Sequence, residues 1–238
     1  MTDDAEENVD ADMFDGGDAA FDDRYYRAPA EAYIRGAVPE AAGLSGADLL
    51  RAGRAAGLRL HRFKRTMGLP RVARVIGALR GMQPSSLLDI GPGRGVFLWP
   101  LLDAFPDLPA TVVEPDERRR SHLRCVSEGG MARLTVAAAD GAALPYAEGS
   151  FDVVTALEVL EHQDDPTAMA REASRVAARF VLASVPSKPD DNPEHVQLFT
   201  AESLGALFEA SDRVASVKTE HVLNHIILVA RIAAPTRG

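Results

Sequence analysis

From residue 86 onward, short apolar runs alternate with longer segments that carry apolar residues on one helical face. No other feature of the 238-residue chain restricts its fold as strongly. The runs at 86–90, 110–114, 134–138, 151–156 and 180–185 are too short and too apolar for amphipathic helices, so they are expected to be buried strands. Helical patterns fill the gaps at about 94–104, 116–128, 166–178 and 201–210. Strands alternating with helices give βαβ units, hence a doubly wound, mostly parallel sheet covered on both faces. Two further runs, about 214–220 and 224–231, follow the last helix almost without a connection and are expected to pair as a C-terminal antiparallel hairpin, making seven strands.

Upstream, residues 24–80 read as a helical extension of two or three helices on the substrate side, with the α/β domain occupying 81–238. The clearest helix covers 70–80: Pro70 suits its first position, Val72, Val75, Ile76 and Leu79 share a face, and Gly81 is expected to stop it. Residues 1–23 hold ten acids and no base, so without them the net charge of −9 becomes +1. So acidic a stretch cannot bury enough apolar surface to offset its ordering entropy and is expected to be a disordered tail. Residues 51–80 have the opposite bias, with nine bases and no acid. They form either a phosphate-binding surface that would suit RNA, with His61 and Phe63 interleaved for base stacking, or a solvated helical face. No apolar run approaches the ~18–20 residues of a membrane span, and the N-terminus lacks the basic-then-apolar order of a secretory signal, so the chain is expected in the cytoplasm and off the membrane. The single cysteine, Cys125, excludes an internal disulfide and is expected to be a plain thiol. Nothing in the sequence sets the oligomeric state.

The chemistry concentrates at strand ends. Leu87-Leu88-Asp89-Ile90-Gly91-Pro92-Gly93-Arg94-Gly95 is a strand running into a glycine-rich turn before a helix, a ligand-binding arrangement in which the helix start offers free N–H groups. It lacks the Gly-Lys-Ser/Thr of a phosphate loop and the Gly-x-Gly-x-x-Gly of dinucleotide folds. The acid two residues before the first glycine suits a cationic ligand better than a pyrophosphate. The second strand ends in Glu114-Pro115-Asp116, where this architecture binds a ribose diol, and the third in Asp140-Gly141.

This ordered set resembles the class I S-adenosylmethionine-dependent methyltransferases, with a Rossmann-like domain, over roughly residues 70–235. The resemblance implies S-adenosyl-L-methionine as cofactor, its methionine end on Gly91, Pro92 and Gly93 with Asp89 near the ammonium. It implies Glu114 on the ribose hydroxyls, Asp140 on the adenine amino group with a backbone N–H from Gly141 or Ala142, Pro115 against the ring, and Leu157 beside the sulfonium. Past the fourth strand, Glu158-Val159-Leu160-Glu161-His162 would, as one helical turn, bring Glu158, Glu161 and His162 onto one face. Asp165 and Pro166 look like the cap and first residue of the next helix. His195 arrives later. The four resemble the metal ligands of small-RNA 2′-O-methyltransferases, so a divalent cation is one expectation, and a metal-free role for His162 or His195 as base, with Glu158 beside them, is another. No Asn/Asp-Pro-Pro-Tyr follows the fourth strand, which disfavours methylation of base amines. The leading expectation is O-methylation of a small-molecule acceptor. Its rivals are a metal-assisted RNA 2′-O-methyltransferase and a cofactor-binding regulator without transfer.

Overall fold

The computed structural model describes residues 24–65, 69–189 and 191–234. The acidic stretch 1–23, and with it the expected tail, lies outside the described residues. Among the described residues seven α-helices and seven strands follow in order: α1 (Arg27–Ala37), α2 (Gly46–Ala55), α3 (Pro70–Met82), β1 (Leu87–Ile90), α4 (Leu98–Ala104), β2 (Ala110–Val113), α5 (Glu117–Glu128), β3 (Leu134–Ala137), β4 (Phe151–Leu157), α6 (Pro166–Val176), β5 (Ala177–Pro186), α7 (Ala201–Glu209), β6 (Val214–Val222) and β7 (His225–Ile232).

The strands form one sheet in the order β3-β2-β1-β4-β5-β7-β6. All pairings from β3 to β5 are parallel, and β7 joins antiparallel to both β5 and β6. Side chains alternate across it. Leu87 faces one apolar cluster, with Ile34, Phe63, Leu79 and Trp99, and Leu88 faces the other, with Val154, Met169 and Phe208. The strand order reverses around β1 and β4, so the crevice for a ligand opens at their carboxyl ends.

The N-terminal helices belong to the first of those clusters. Helix α1 lies backbone to backbone on α5: a Cβ on Gly36 would sit 2.0 Å from the Cys125 carbonyl oxygen, and one on Gly129 would sit 1.8 Å from that of Ala32. Phe63 is fully buried, which removes it as a stacking surface for bases. Cys125 is a half-buried free thiol, its pKa raised by burial.

Four expectations about local structure need correction. Helix α3 passes through Gly81 to Met82, and Gln83 adopts the left-handed cap at φ 48°, its N–H reaching Leu79 O at 2.9 Å; Pro84, without an N–H, ends the segment. Helix α4 starts at Leu98 rather than 94, because Gly91, Gly93 and Gly95 all have positive φ and hold the turn open. A Cβ on Gly95 would collide with the Trp99 indole at 2.1 Å. Helix α6 ends at Val176, where Ala177 turns extended to pair with Phe151. The single helical turn expected over Glu158 to His162 does not form: Glu158 has φ 57°, and only Leu160–His162 makes a 3₁₀ turn. Asp165 does cap α6, accepting from the Thr167 N–H, with Pro166 first in the helix.

Candidate functional site

Asp89 stands opposite Thr155 in the β1–β4 register and is 2% exposed. Its Oδ1 accepts from the Thr155 hydroxyl at 2.7 Å, whereas Oδ2 is buried with no hydrogen-bond partner among the described residues. Burial pushes its pKa up to about 7; the Thr155 hydrogen bond opposes that rise and the charge of Glu114 adds to it. Glu114 follows β2, is also buried, and ties two loops together by accepting the Gly93 N–H at 3.2 Å and the Asp116 N–H at 3.1 Å, one on each oxygen. Each oxygen keeps a further lone pair. Asp140 follows β3, is exposed, and accepts the Ala142 N–H at 2.9 Å. That N–H, expected to face an adenine ring, is therefore engaged by Asp140 itself. Gly141 is buried, and a Cβ there would meet Ile90 and Met169 at 2.7 Å.

Glu114, Asp140 and Gly141 border a cavity of about 650 Å³ that also includes Pro115 and His162. A second cavity, of about 220 Å³, opens beside it between α3 and the ends of β1, β4 and β5, with Arg71, Val72, Asp89, Pro92, Leu157 and Ser184 in its wall. Gly91, Gly93, Arg119 and Glu158 border both. The structure thus gathers all nine residues expected around a cofactor on two adjoining cavities.

It divides the four residues expected around a metal. Glu158 is turned away by its left-handed backbone. Its N–H donates to Ser184 O at 2.8 Å, its Oε1 accepts from the Ser184 hydroxyl at 2.6 Å, and its Oε2 lies 3.0 Å from His225 Nδ1 and 3.7 Å from Arg71 Nε. The His225 contact has ion-pair distance but not the angle of a hydrogen bond. Glu161, His162 and His195 do converge, with one possible donor atom from each lying within 4.8 Å of the others. His162 Nδ1 lies 3.0 Å from the Glu194 carbonyl oxygen, a contact in which the ring nitrogen donates. The two imidazoles meet edge to face at 4.8 Å. The loop that carries His195 is pinned by the Val196 and Gln197 N–H groups on the Glu161 carbonyl.

A family model described as a methyltransferase domain matches residues 58–212. The chain belongs to that family. Its seven-stranded sheet is the Rossmann-like one of the class I S-adenosylmethionine-dependent methyltransferases. Among curated relatives, 27-O-demethylrifamycin SV methyltransferase of Amycolatopsis mediterranei is 36% identical over 109 residues, covering 43% of this chain and 40% of that protein. Norajmaline N-methyltransferase of Rauvolfia serpentina is 29% identical over 97 residues, covering 40% of this chain and 33% of that protein. The matches therefore span two fifths or less of those relatives' length. The crystal structure of magnesium protoporphyrin IX methyltransferase from Synechocystis PCC 6803 with bound SAH superimposes with a TM-score of 0.55 at 18% identity, covering 69% of this chain and 83% of that one, a likeness of fold.

Within this methyltransferase domain, sequence reasoning missed Arg71, Ser184 and His225. Each comes from a different element, and no motif marks any of them. The basic segment also looks different once folded. Arg65 forks onto Asp103 at 2.9 and 3.0 Å, Arg74 grips Glu220 at 2.6–3.0 Å, Arg51 pairs with Asp48, and Arg71 reaches Glu158. Much of the charge that suggested a polyanion surface is matched by carboxylates. Among the described residues no helix is long and apolar enough to cross a membrane.

Proposed function

We propose that the protein is an S-adenosylmethionine-dependent methyltransferase that acts on a hydroxyl of a small-molecule acceptor. The observation that carries the reading is Asp89 Oδ2: a buried carboxylate oxygen without a partner among the described residues, beside a glycine turn, with Glu114 and Asp140 after the next two strands on the adjoining cavity. An unpaired buried acid is costly unless a cation arrives to match it, which fits the ammonium of the cofactor's methionine end. Gly91, Pro92, Gly93 and Leu157 would border that end, Glu114 the ribose, and Pro115, Asp140 and Gly141 the adenine.

When bound, the cofactor supplies a methyl group already activated on a sulfonium, so the protein's own residues have to align the acceptor and remove its proton. Val72, Val75 and Phe97 give the smaller cavity apolar walls suited to a small organic acceptor. Glu158 borders both cavities and takes the hydroxyl proton at Oε2, with Ser184, Arg71 and His225 holding the carboxylate in place. His162 borders the larger cavity, and His195 meets its ring from the edge. A carboxylate at the junction favours a hydroxyl, which must lose its proton, over a neutral amine, which can attack without prior deprotonation. The rifamycin relative's name points the same way. The one-carboxylate, two-imidazole donor set suits a divalent cation, which Glu161, His162 and His195 would hold.

Two measurements test the proposal. Calorimetry should show one-to-one binding of S-adenosylmethionine and its demethylated product, and absence of heat at millimolar cofactor would refute the reading. Labelled methyl transfer to a panel of phenols and alcohols should then yield product. Binding without transfer to any hydroxyl, amine or RNA would favour a regulator that has kept the cofactor site.

A further inference from the structure

Strand β6 ends the sheet on one side, and among the described residues β7 alone pairs with it. The registers fix which of its backbone groups stay unpaired. The Asn224 carbonyl accepts from the Ser187 N–H at 2.8 Å, so Asn224 and every second residue after it turn their backbone groups toward β5. The residues between them, His225, Ile227 and Val229, turn theirs toward β6, where they stand opposite Val222, Glu220 and Lys218. That leaves Val217, Thr219 and His221 with N–H and C=O groups directed away from the sheet. The side chains of residues 218 to 221 alternate between the two faces and all four are exposed, so neither helical layer overhangs this edge.

A lysine in the middle of an edge strand ordinarily discourages a further strand. Here the chain supplies an acid to meet it. When two identical β6 strands lie antiparallel about a twofold axis through Thr219, residue 218 of each stands opposite residue 220 of the other, so each Lys218 faces a Glu220 on the same face of the sheet. The same axis sets Thr219 against itself and Val217 against His221, the residues whose backbone groups point outward. An axis through Val217 or His221 would also oppose outward residues, but it sets Lys218 against Ser216 or Glu220 against Val222 and loses both ion pairs. The carboxylate is held in place from within its own chain: Arg74 of α3 donates to Glu220 Oε1 at 2.9 Å and to Oε2 at 2.6 and 3.0 Å, and Oε1 keeps a lone pair for a second cation. Lys218 has no ion pair among the described residues. Leu223, 74% exposed at the hairpin tip, falls at the start of the other copy's β6, where the added strand covers it.

We propose that β6 is a dimerisation edge whose partner is a second copy of this chain, paired antiparallel about Thr219 so that the two seven-stranded sheets become one. The axis stands perpendicular to the joined sheet, so the crevices of the two copies open at opposite ends. None of the residues assigned above to cofactor or acceptor lies on β6, and the inference stands apart from the proposed function.

Sedimentation velocity of the full chain over roughly 1–200 µM, a span in which an interface of modest affinity fills, should show monomer giving way to dimer. Lys218→Glu and Glu220→Lys each set two pairs of like charges across the axis, and each should weaken the dimer at least ~10-fold. Mixed in equal amounts, the two variants should form a dimer again, because the acids of one strand then face the lysines of the other. Thr219→Pro removes an outward N–H and spares the bonds to β7, so it should keep the wild-type melting temperature and remain monomeric. A wild-type monomer at every concentration overturns the proposal. So does a dimer that survives Thr219→Pro or ignores the charge reversals, since it would form on another surface, and so does a mixture of the two reversed variants that stays monomeric.

Discussion

The two main cavities share Gly91, Gly93, Arg119 and Glu158 but are built in different ways. The larger takes Glu114 from the position directly after β2 and Asp140 from the loop that leaves β3, two neighbouring parallel strands. A parallel sheet delivers every strand's carboxyl end to the same edge, so local sequence is enough to place such residues together. The smaller is closed by Arg71 on α3, Glu158 after β4 and Ser184 on β5, with His225 on β7 behind Glu158. Those residues meet only because α3 packs over the sheet and the hairpin returns antiparallel beside β5. On the reading proposed above, the strand-end residues that would hold the cofactor are thus set by topology, and the Arg71, Ser184 and His225 surroundings of Glu158 by tertiary packing.

The comparison breaks most visibly at Glu158. Replacement by Gln keeps its shape and removes its charge. Turnover of the acceptor found by labelled methyl transfer should fall at least ~100-fold, the lower end of what a positioned base supplies, while calorimetric cofactor affinity changes little. His162→Ala and His195→Ala are expected to cost a comparable factor, and activity that survives excess chelator would leave them without a metal role. Full activity in all three variants would take Glu158 and both histidines out of the catalytic step.

The next effect belongs to the cofactor side. Glu114→Ala removes the acceptor of two backbone N–H groups and of the proposed ribose contact, so cofactor binding should weaken by roughly 1.5–3 kcal/mol, the range for hydrogen bonds to a charged group. Calorimetry reads it directly. Unchanged affinity would take Glu114 out of the site and leave it as a loop tie between Gly93 and Asp116.

What could be read from the chain follows the same division. The five parallel strands, the C-terminal hairpin and the strand-end acids were legible because each depends on a few adjacent residues and on a rule of topology. Errors arose where a distant contact decides the backbone. The spacing of Glu158, Glu161 and His162 implied a shared helical face, but Glu158 bonds to Ser184 through both backbone and side chain, and its φ of 57° breaks the helix before it starts. Such a left-handed non-glycine residue is paid for by its surroundings, and its local sequence shows nothing of it. Gly81 was a reasonable stop for α3, yet the reversal fell to Gln83 before Pro84. The run of bases gave the sign of the charge but not the location of Asp103 and Glu220, which neutralise Arg65 and Arg74 from other elements.

The smallest expected effect sharpens the contrast at Asp89, where the site's requirement opposes the fold's. Unfolded, this carboxyl titrates near 3.8; folded, burial raises it to about 7. Between those values the folded, cofactor-free protein holds a proton that the unfolded chain has released. Stability therefore falls as pH rises from about 4 to about 7, and the loss is complete above the folded value. Asp89→Asn keeps an oxygen for the Thr155 hydroxyl and removes the buried charge. At pH 8 it should raise stability, visible as a higher melting temperature, and below about pH 3, where the wild-type carboxyl is neutral in the folded and the unfolded chain, that gain should vanish. Cofactor binding should move the other way. A cationic ammonium favours the ionised carboxylate, so wild-type affinity should climb with pH through the same window while that of Asp89→Asn stays low and flat. A variant that is less stable at pH 8, or that binds cofactor as tightly as wild type, would show that Asp89 serves the β1–β4 register and Thr155 rather than a cation in the crevice.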